Sequence, residues 1–389
     1  MTNKFTHIVV HYDEIGLKGD NRAFFSRALI NNIQKLVHGD AVVRAGATKI
    51  VLEFEKDQSK IDFYLGKLQL IPGISSVSPA IKCKSTIEDI SKVALEIAQF
   101  YQPKTFKIET IRADKAFAIN SMGISREVGG FVLNTIGEDK IRVDVHNPDL
   151  TIKIELEAKQ TLILGQKHEG IGGLPTGTAG KILCLLSGGL DSPVAAYLMM
   201  KRGATVDFIH FHNQTINTAG VEEKIKDLVR QLATFQGKGR LLMVPFAELQ
   251  KEVITKIPST IRMIVYRRLM YRIAERIARY RKARALVTGD SLSQVASQTI
   301  ENLEVIYNAT AMLKFNPLIG LNKREIIRIS EQIGTFDISI RPYGDCCSLM
   351  IAKHPETRAK LFDILEAEKN LDVDDLILRA IKGIEKFEV

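Results

Sequence analysis

A glycine-rich turn near the middle of the chain constrains the fold more than any other stretch. The apolar run 182–186 predicts a buried parallel strand, and residues 193–201 predict a helix with proline in its first turn. Between them lies the hexapeptide SGGLDS at 187–192. Backbone N–H groups and the positive end of a helix dipole converge at such a junction and bind anions. Glycines at 188 and 189 let a phosphate come close and permit positive φ angles.

The acid inside this turn separates it from the commonest phosphate-binding loop. The Walker loop requires Gly-Lys-Ser/Thr, which the turn does not contain, whereas Asp191 suits a bound Mg²⁺ ion or a nucleotide hydroxyl. An ordinary strand–helix turn is the alternative interpretation. The hexapeptide resembles the PP-loop of ATP pyrophosphatases, which cleave ATP between its α- and β-phosphates and activate a carbonyl oxygen as an adenylate. This resemblance implies that ATP contacts Leu185, Leu186, Ser187, Gly188, Gly189, Asp191 and Ser192.

The residues after this turn alternate between strand and helix patterns. Strands are predicted at 205–212, 240–245 and 285–288, and helices at 222–235, 247–256, 261–280, 323–333, 356–369 and 373–386. Strands separated by helices form parallel βαβ units, so residues 181–389 predict an α/β domain with a doubly wound parallel sheet. Ligands bind such sheets beyond the carboxyl ends of the strands. We therefore expect the chemistry in the loops that follow these strands.

The first half of the chain predicts two smaller α+β domains, at 1–74 and 75–167. The turn at 13–22, DEIGLKGDNR, resembles the signature that opens the tRNA 4-thiouridine synthetase family, whose first domain is ferredoxin-like. Within it, Lys18 and Arg22 are candidate tRNA contacts. The order of elements in 75–167 resembles the THUMP domain, an RNA-binding module of tRNA-modifying enzymes. The glycine-rich stretch 168–180 would be either a passive hinge or a segment that wraps the nucleotide site.

Charge and cysteine usage limit the class of protein. The chain has 389 residues, with 54 Lys and Arg against 45 Asp and Glu, and this surplus suggests a polyanionic partner, although nucleotide-binding proteins are often modestly basic too. It contains four cysteines without a spaced framework, which is typical of a reducing compartment. The N-terminus has no apolar signal-peptide region, and the sequence has no apolar run of membrane-spanning length. We therefore expect a cytoplasmic protein.

The helix predicted at 261–280 is unusually rich in arginine. Hydrophobic residues repeat every four positions from Ile261 to Ile277 and should face the core. Three arginines on another stripe are candidate contacts to the tRNA backbone: Arg268, Arg272 and Arg276. A solvated charged face is the alternative. Arg267 lies where the family has an arginine that contacts ATP, and its fork of donors suits a phosphate.

Other candidate site residues follow the predicted strands. His210 and Phe211 end the strand at 205–212, where backbone contacts and stacking on Phe211 would take the base or ribose; a strand end with solvated histidines is the alternative. The segment 288–299, TGDSLSQVASQT, resembles a family motif that implies ATP contacts at Gly289 and Gln298. Lys323 begins a helix, and the resemblance implies a functional cation near the leaving pyrophosphate or the adenylated base. A surface lysine is the alternative.

The adjacent cysteines at 346 and 347 lie in a polar segment with Asp345. Neighbouring cations would stabilise a thiolate there, whereas Cys184 within its apolar run reads as a core residue. The family's Asp/Glu-x-Cys pattern implies that Cys347 handles sulfur, and Cys346 is either its partner or a bystander. An iron–sulfur cluster is disfavoured, since the sequence contains no Cys-x-x-Cys.

These motifs occur in one order, and the whole chain resembles a tRNA 4-thiouridine synthetase (tRNA uracil 4-sulfurtransferase). The resemblance implies adenylation of O4 of uridine 8 by Mg²⁺ and ATP, followed by sulfur transfer from a persulfide on Cys347. The implied partners are tRNA, a cysteine desulfurase or another persulfide donor, and a second copy in a homodimer. Many members carry a further rhodanese-like domain, for which there is no room before Val389; this puts a role in thiamine synthesis in doubt. An enzyme that amidates a small molecule and a nonenzymatic tRNA-binding protein are the alternatives.

Overall fold

The computed structural model describes residues 5–12, 14–46, 48–55, 57–113, 115, 117–157, 160–213, 219–342, 352 and 354–389. The chain forms two compact units, Met1–Leu174 and Pro175–Val389. None of the helices in the described residues is long and apolar enough to span a membrane.

The first unit is one mixed sheet with helices packed on it. Its strands are β1 (His7–His11), β2 (Val42–Ala45), β3 (Lys49–Glu53), β4 (Ser76–Cys83), β5 (Thr105–Arg112), β6 (Arg142–Val143), β7 (Leu150–Glu157), β8 (Gln160–Leu164) and β9 (His168–Glu169). Its α-helices are α1 (Arg22–Val37), α2 (Ile61–Leu68), α3 (Ile87–Tyr101) and α4 (Ser121–Ile136). The strand order is β2-β3-β1-β4-β8-β7-β5-β6, with β9 beside β4.

Strand β4 joins the two N-terminal segments into this single sheet. It pairs antiparallel with β1 on one side and with β8 on the other. The sequence did not predict β4, because Pro79 lies near its centre. Proline has no backbone N–H group to donate to a neighbouring strand, so it argues against a central strand. The hydrophobic core of the unit lies under the helices and includes Ile8, Val10 and Phe106, each almost fully buried.

The second unit is an α/β domain built on a six-stranded sheet. Its strands are β10 (Lys181–Leu185), β11 (Thr205–His212), β12 (Arg240–Pro245), β13 (Ala285–Val287), β14 (Leu313–Phe315) and β15 (Glu385–Glu388). Its α-helices are α5 (Asp191–Lys201), α6 (Ala219–Ala233), α7 (Ala247–Lys256), α8 (Arg262–Tyr280), α9 (Ile300–Tyr307), α10 (Lys323–Gln332), α11 (Phe336–Ser339), α12 (Leu361–Glu368) and α13 (Val373–Lys382).

The sheet order β14-β13-β10-β11-β12-β15 is parallel except at the β15 edge. Helices α5, α6, α10 and α11 pack with one another, and α7, α9, α12 and α13 pack around α8. The predicted doubly wound parallel sheet is confirmed. The helix predicted at 373–386 is wrong at its end: it stops at Lys382, and residues 385–388 pair with the open edge of β12.

The glycine-rich stretch reaches the second unit at the edge opposite the turn 187–192. The N–H groups of Gly177 and Ala179 both donate to the carbonyl of Gly203, just before β11 begins. Residues 175–180 therefore lie at the amino ends of the strands. For residues 175–180, the alternative in which the stretch wraps the nucleotide site is wrong.

Candidate active site

A cavity of about 250 Å³ opens at the carboxyl edge of the second sheet, where β10, β11 and β13 end. It brings together many of the residues that the sequence predicted to contact ATP: Leu185, Leu186, Ser187, Asp191, Ser192, His210, Phe211, Arg267, Gly289 and Gln298. The lining also includes residues that sequence reasoning missed: Met263, Met270, Tyr271, Thr288, Asp290 and Ser297. Gly188 and Gly189 belong to the adjoining turn and are not part of this lining.

Two serines close the turn 187–192. The Ser192 hydroxyl accepts a hydrogen bond from the Ser187 N–H at 2.8 Å and lies 3.0 Å from the Ser187 hydroxyl. The N–H of Gly189 donates to the Ser187 hydroxyl at 3.3 Å. Neither Gly188 nor Gly189 has a positive φ, so the turn does not use the conformational freedom that glycine permits. A Cβ at Gly189 would meet only the Ser187 hydroxyl, at an ordinary 3.6 Å, so a side chain there would not clash with the protein.

Gly289 lines the cavity and leaves no room for a side chain at this position. A Cβ at this position would lie 2.7 Å from the Ser192 nitrogen and 2.8 Å from the Asp191 carbonyl carbon. Real Cβ atoms do not approach backbone so closely, so only glycine lets the segment after β13 pack against the start of α5. The close neighbour of Gly289 is thus the protein's own turn.

The carboxylate of Asp191 joins three parts of the site. Its Oδ1 accepts a hydrogen bond from Lys323 Nζ at 2.7 Å, and its Oδ2 accepts one from Gln294 Nε2 at 2.9 Å. Lys323 is the first residue of α10, and the Asn322 side chain caps that helix in a capping box with Glu325. The two residues predicted separately, Asp191 and Lys323, are therefore in direct contact. Sequence reasoning missed Gln294, although it lies inside the motif 288–299.

Asp290 is the centre of a buried hydrogen-bond network below the cavity. It is 4% exposed, and Arg267 Nη2 donates to both of its carboxylate oxygens at 2.7 Å. Further bonds come from the Thr288 hydroxyl at 2.7 Å, the Tyr307 hydroxyl at 2.9 Å and Gln298 Nε2 at 3.1 Å. Burial raises the pKa of Asp290, but Arg267 and the hydroxyl donors outweigh it and hold the pKa below its usual value. Asp290 is therefore an ionised acceptor that orients Arg267 and Gln298.

The end of β11 is part of the core rather than a solvated edge. His210 is 2% exposed, and its Nδ1 donates to the carbonyl of Leu186 at 2.8 Å. Burial lowers the pKa of His210 to about 4, so the ring is neutral at pH 7. Phe211 packs edge-on against Phe246, with ring centroids 5.4 Å apart. The alternative of a strand end with solvated histidines is wrong, and the buried ring of Phe211 forms an apolar wall of the cavity.

Comparisons with known proteins agree with this architecture. The family model described as thiamine biosynthesis protein (ThiI) matches residues 177–373, which is just over half of the chain. The models for the ThiI ferredoxin-like domain and the THUMP domain match residues 7–78 and 84–164. A probable tRNA sulfurtransferase from Caldanaerobacter subterraneus is 43% identical over 95% of this chain and 96% of its own. The chain belongs to the ThiI family.

Other members extend the likeness over the full length. A probable tRNA sulfurtransferase from Limosilactobacillus reuteri is 38% identical to this ThiI-family chain and covers 99% of it and 95% of its own length. The crystal structure of a 4-thiouridine synthetase–RNA complex with bound ATP superposes with a TM-score of 0.91 at 34% identity, covering 99% of this chain and all of the other. The similarity to a tRNA 4-thiouridine synthetase inferred from the motifs is thus confirmed.

The arginines of α8 in this ThiI-family protein are less available than the sequence suggested. Arg268 is 1% exposed and donates to both oxygens of Glu368, at 2.9 and 3.1 Å. Its predicted contact to the tRNA backbone is wrong, because a buried arginine already paired in this way cannot reach a phosphate. Arg272 also donates to both oxygens of Glu368, at 2.8 and 2.7 Å, which occupies the fork that a phosphate would need. Arg276 is half exposed and lies 3.6 Å from Asp374.

The remaining predicted residues are two tRNA-contact candidates in the first unit and the cysteines. Lys18 lies 5.2 Å from the centroid of the Phe25 ring, and Arg22 donates to the Tyr12 hydroxyl at 3.3 Å, both in the first unit. Cys346 and Cys347 lie outside the described residues. Burial raises the pKa of the Cys184 thiol, as expected for a core cysteine. The described residues contain no cluster of three or more His, Cys, Asp or Glu side chains that could hold a metal ion.

Proposed function

We propose that this protein uses ATP to convert uridine 8 of tRNA to 4-thiouridine. The observation that carries the proposal is the cavity at the carboxyl edge, where the turn 187–192, an apolar wall and the Asp191–Lys323 pair meet. A cavity of this kind suits a nucleotide whose base lies against apolar side chains and whose phosphates lie against a helix N-terminus. Because tRNA is the substrate, we place the reaction in the cytoplasm; a homodimer stays a prediction.

The first step of the proposed reaction is adenylation. Uracil O4 attacks the α-phosphorus of ATP while N3 loses its proton to solvent, the bond from that phosphorus to the bridging oxygen breaks, and pyrophosphate leaves with the electron pair. The α-phosphate would lie against the turn at Gly189, and Ser192, Gly289 and Arg267 line the adjoining cavity. Lys323, 45% exposed beside Asp191, would stabilise the negative charge on the leaving pyrophosphate. Arg267 lines the cavity and is held by Asp290, and its remaining donors would bind a phosphate of the nucleotide.

The residues present fit a magnesium ion that is bound mainly through the nucleotide. Mg²⁺ is usually bound by one or two carboxylates together with substrate phosphates, and Asp191 supplies one carboxylate at the turn. When bound, the ion would neutralise phosphate charge as a Lewis acid. Lys323 and Gln294 each donate a hydrogen bond to the Asp191 carboxylate and so fix its orientation.

The second step is sulfur transfer. A cysteine desulfurase or another persulfide donor would load Cys347, and the terminal persulfide sulfur would attack C4 while the C4–O4 bond breaks and AMP leaves with O4. A thiol then attacks the Sγ of Cys347, which forms a disulfide and leaves the sulfur and its electron pair on the uracil. If the thiol releases the sulfur first as hydrosulfide, the electron balance is the same. Cys346 would either supply this thiol or be a bystander.

The first unit would hold the tRNA. Its ferredoxin-like segment carries Lys18 and Arg22, and in the second unit the exposed Arg276 on α8 is the remaining candidate from the arginine helix. Contacts of this type neutralise phosphates, so tRNA affinity should fall steeply as the salt concentration rises.

One assay separates this proposal from its alternatives. The protein is incubated with ATP, Mg²⁺, a persulfide donor, a thiol and bulk tRNA, and the products are followed as AMP and as near-ultraviolet absorbance of the tRNA. The proposal requires both products in equal amounts. AMP without thiolated tRNA would favour an enzyme that amidates a small molecule, and neither product would favour a nonenzymatic tRNA-binding protein. In the same assay Cys347→Ser should abolish thiolation and keep ATP and tRNA binding; full thiolation would contradict the role of Cys347.

A further inference from the structure

The amino edge of the second sheet carries many basic side chains. Strands β13, β10, β11 and β12 are neighbours in that order and run parallel, so the residues that lead into them meet at this edge. Residues 181, 201–202, 238–240 and 281–284 begin these strands or lie within four residues before them. Eight of these ten residues are Lys or Arg, and none is acidic. We call this set of residues the amino-edge patch.

Two carboxylates offset part of the charge of this patch. Asp207 is buried near the start of β11, and three cations of the patch lie 3.5–3.9 Å from its Oδ2. Glu388, on β15, pairs with Arg240. Other cations of the patch are exposed: Arg202, Lys238, Lys282 and Arg284. The patch therefore keeps a surplus of positive charge, and a surface of this kind attracts polyanions.

Lys282 has a backbone conformation that glycine would adopt at lower cost. Its φ is 58°, in the left-handed region, two residues after the end of α8. The next N–H group, that of Ala283, donates to the carbonyl of Ala278 at 2.8 Å and closes the helix end. Glycine is the usual residue at such a position, because a Cβ in this conformation costs free energy. A lysine here therefore indicates a use for its charge that outweighs the cost.

We propose that the amino-edge patch is a second contact surface for tRNA, separate from the nucleotide cavity. The identity of the RNA rests on the proposed function. Lysine and arginine side chains neutralise phosphates without reading the base sequence. Tyr280, which is 81% exposed and adjoins the patch in the chain, offers a ring on which an unpaired base can stack. An acidic protein surface would match the charge but would not account for the exposed ring, so RNA fits both features.

The patch and the cavity lie at opposite edges of the sheet. Strand β11 runs from one edge to the other and has eight residues, which corresponds to about 26 Å. The part of the tRNA at the patch is therefore not the part whose uridine reaches the cavity. Loss of patch charge should raise the KM for tRNA, because fewer phosphates are neutralised. It should leave ATP binding unchanged, and also kcat at saturating tRNA.

Three paired lysines in the same unit offer a matched control. Lys251, Lys256 and Lys369 are exposed, and the Nζ of each lies 2.5–2.9 Å from the carboxylate of a glutamate three or four residues earlier. The control variant Lys251→Gln/Lys256→Gln/Lys369→Gln lowers the net charge by the same amount as a triple substitution in the patch. It removes no local surplus of positive charge. The comparison therefore separates the effect of the patch from the effect of net charge.

The test compares Lys238→Gln/Lys282→Gln/Arg284→Gln with this control in the full chain, by measuring the binding of bulk tRNA at several salt concentrations. We expect the patch variant to bind tRNA about tenfold more weakly at about 0.15 M salt. The slope of log K against log salt should be smaller by about two to three, because three phosphate contacts are lost. The control should bind within about twofold of the unmodified protein. Equal affinities for the patch variant and the control would overturn the inference.

Lys282 supplies a variant that should fold at least as well as the unmodified protein. Lys282→Gly places glycine in the left-handed conformation, so the melting temperature should rise. The same variant should bind tRNA about two- to threefold more weakly, because one phosphate contact is lost. Lys282→Arg keeps the charge and should keep the affinity. A stabilised Lys282→Gly with unchanged affinity and salt slope would overturn the inference, even if the triple variant does not fold.

Two outcomes separate this inference from the proposed function. If the patch variant binds tRNA normally but thiolates it slowly when the persulfide donor is limiting, the patch binds an acidic protein, and this inference alone is overturned. If the unmodified protein binds tRNA without thiolating it, the proposed function fails. The binding measurements then still decide whether the patch contacts RNA.

Discussion

Two buried aspartates at opposite edges of the same sheet have opposite environments. Asp290, at the carboxyl edge, is 4% exposed and accepts hydrogen bonds from Arg267, Thr288, Tyr307 and Gln298. Asp207, near the amino edge, is equally buried, but its Oδ2 accepts no hydrogen bond from the described residues. Three cationic side chains lie farther from this Oδ2 atom than a hydrogen bond requires: Lys181 at 3.8 Å, Arg240 at 3.9 Å and Arg281 at 3.5 Å.

The pKa values follow these environments. Burial raises the pKa of Asp207, and its distant cations do not compensate. At Asp290 the direct partners outweigh burial and lower the pKa. A buried ionised carboxylate is therefore stabilised by direct, well-oriented hydrogen bonds, and cations that lie nearby without such bonds are not sufficient. The complete network lies at the edge where the chemistry is proposed, which indicates that Asp290 maintains the site and that Asp207 contributes little.

The strongest test of this contrast is the removal of the Asp290 charge. Asp290→Asn keeps the shape but leaves Arg267 buried without a counter-ion, and breaking a buried pair in this way costs about 3–5 kcal/mol. The variant should lower the free energy of unfolding by that amount in a urea titration, and ATP should bind more weakly because Arg267 and Gln298 lose their orientation. A loss under about 1 kcal/mol would show that the network is not cooperative.

A smaller effect is expected from the glycine at the same edge. In Gly289→Ala the new Cβ would lie 2.7 Å from the Ser192 nitrogen, so α5 must shift, and overpacking of this kind costs about 1–3 kcal/mol. Gly189→Ala is the matched control, since its Cβ meets only an ordinary contact. We expect Gly289→Ala to lower both stability and ATP affinity, and Gly189→Ala to lower ATP affinity alone. Equal losses of stability would contradict the steric account.

The pH dependence of stability should differ in sign between the two aspartates. The folded-state pKa of Asp290 is lowered, so its stabilisation is present above the unfolded pKa of about 4 and is lost as the pH falls below it. The folded-state pKa of Asp207 is raised, so its contribution is most favourable at low pH and is lost as the pH rises through that value. As the pH is lowered from 6 to 3, the free energy of unfolding should fall less steeply in Asp290→Asn than in the unmodified protein. In Asp207→Asn it should fall more steeply than in the unmodified protein. Parallel curves would refute the assignment.

The smallest change in the free energy of unfolding is expected for Asp207→Asn, at the amino edge of the sheet, at neutral pH. Asp207→Asn removes a poorly solvated charge, and its three cationic neighbours are each about one-quarter to one-third exposed and can turn to water. The free energy of unfolding should change by less than about 1 kcal/mol in either direction, measured beside Asp290→Asn. A loss as large as that of Asp290→Asn would mean that the three long ion pairs stabilise the fold.

Most of the predicted residues that line the cavity lie in short motifs at the ends of predicted strands. Strand, turn and helix patterns predict the turn 187–192 at the carboxyl edge of a parallel sheet, whereas Gly289 and Gln298 follow from resemblance to a family motif. Lys323 was found by family resemblance, and its contact with Asp191 spans a separation that no local pattern encodes. The partner of Asp290 at Tyr307 was missed for the same reason, since an ordinary helical tyrosine gives no local signal.

Arg268 shows where a local pattern misleads. Charged residues on one helical stripe usually face solvent, and the pattern therefore suggested a surface for tRNA. Helix α12, about a hundred residues later in the chain, covers this stripe and brings Glu368 to it. Strand β15 was missed in the same way, because the open edge of β12, rather than the helical pattern at 373–386, determines its structure.

The most direct test of the central claim follows the oxygen that leaves the uracil. The protein is given tRNA labelled with ¹⁸O at O4 of uridine 8, together with ATP, Mg²⁺, a persulfide donor and a thiol, and AMP is analysed by mass spectrometry. If this site adenylates O4 before sulfur attacks C4, each 4-thiouridine formed should yield one AMP that carries one ¹⁸O. Unlabelled AMP, or label in pyrophosphate, would contradict the account.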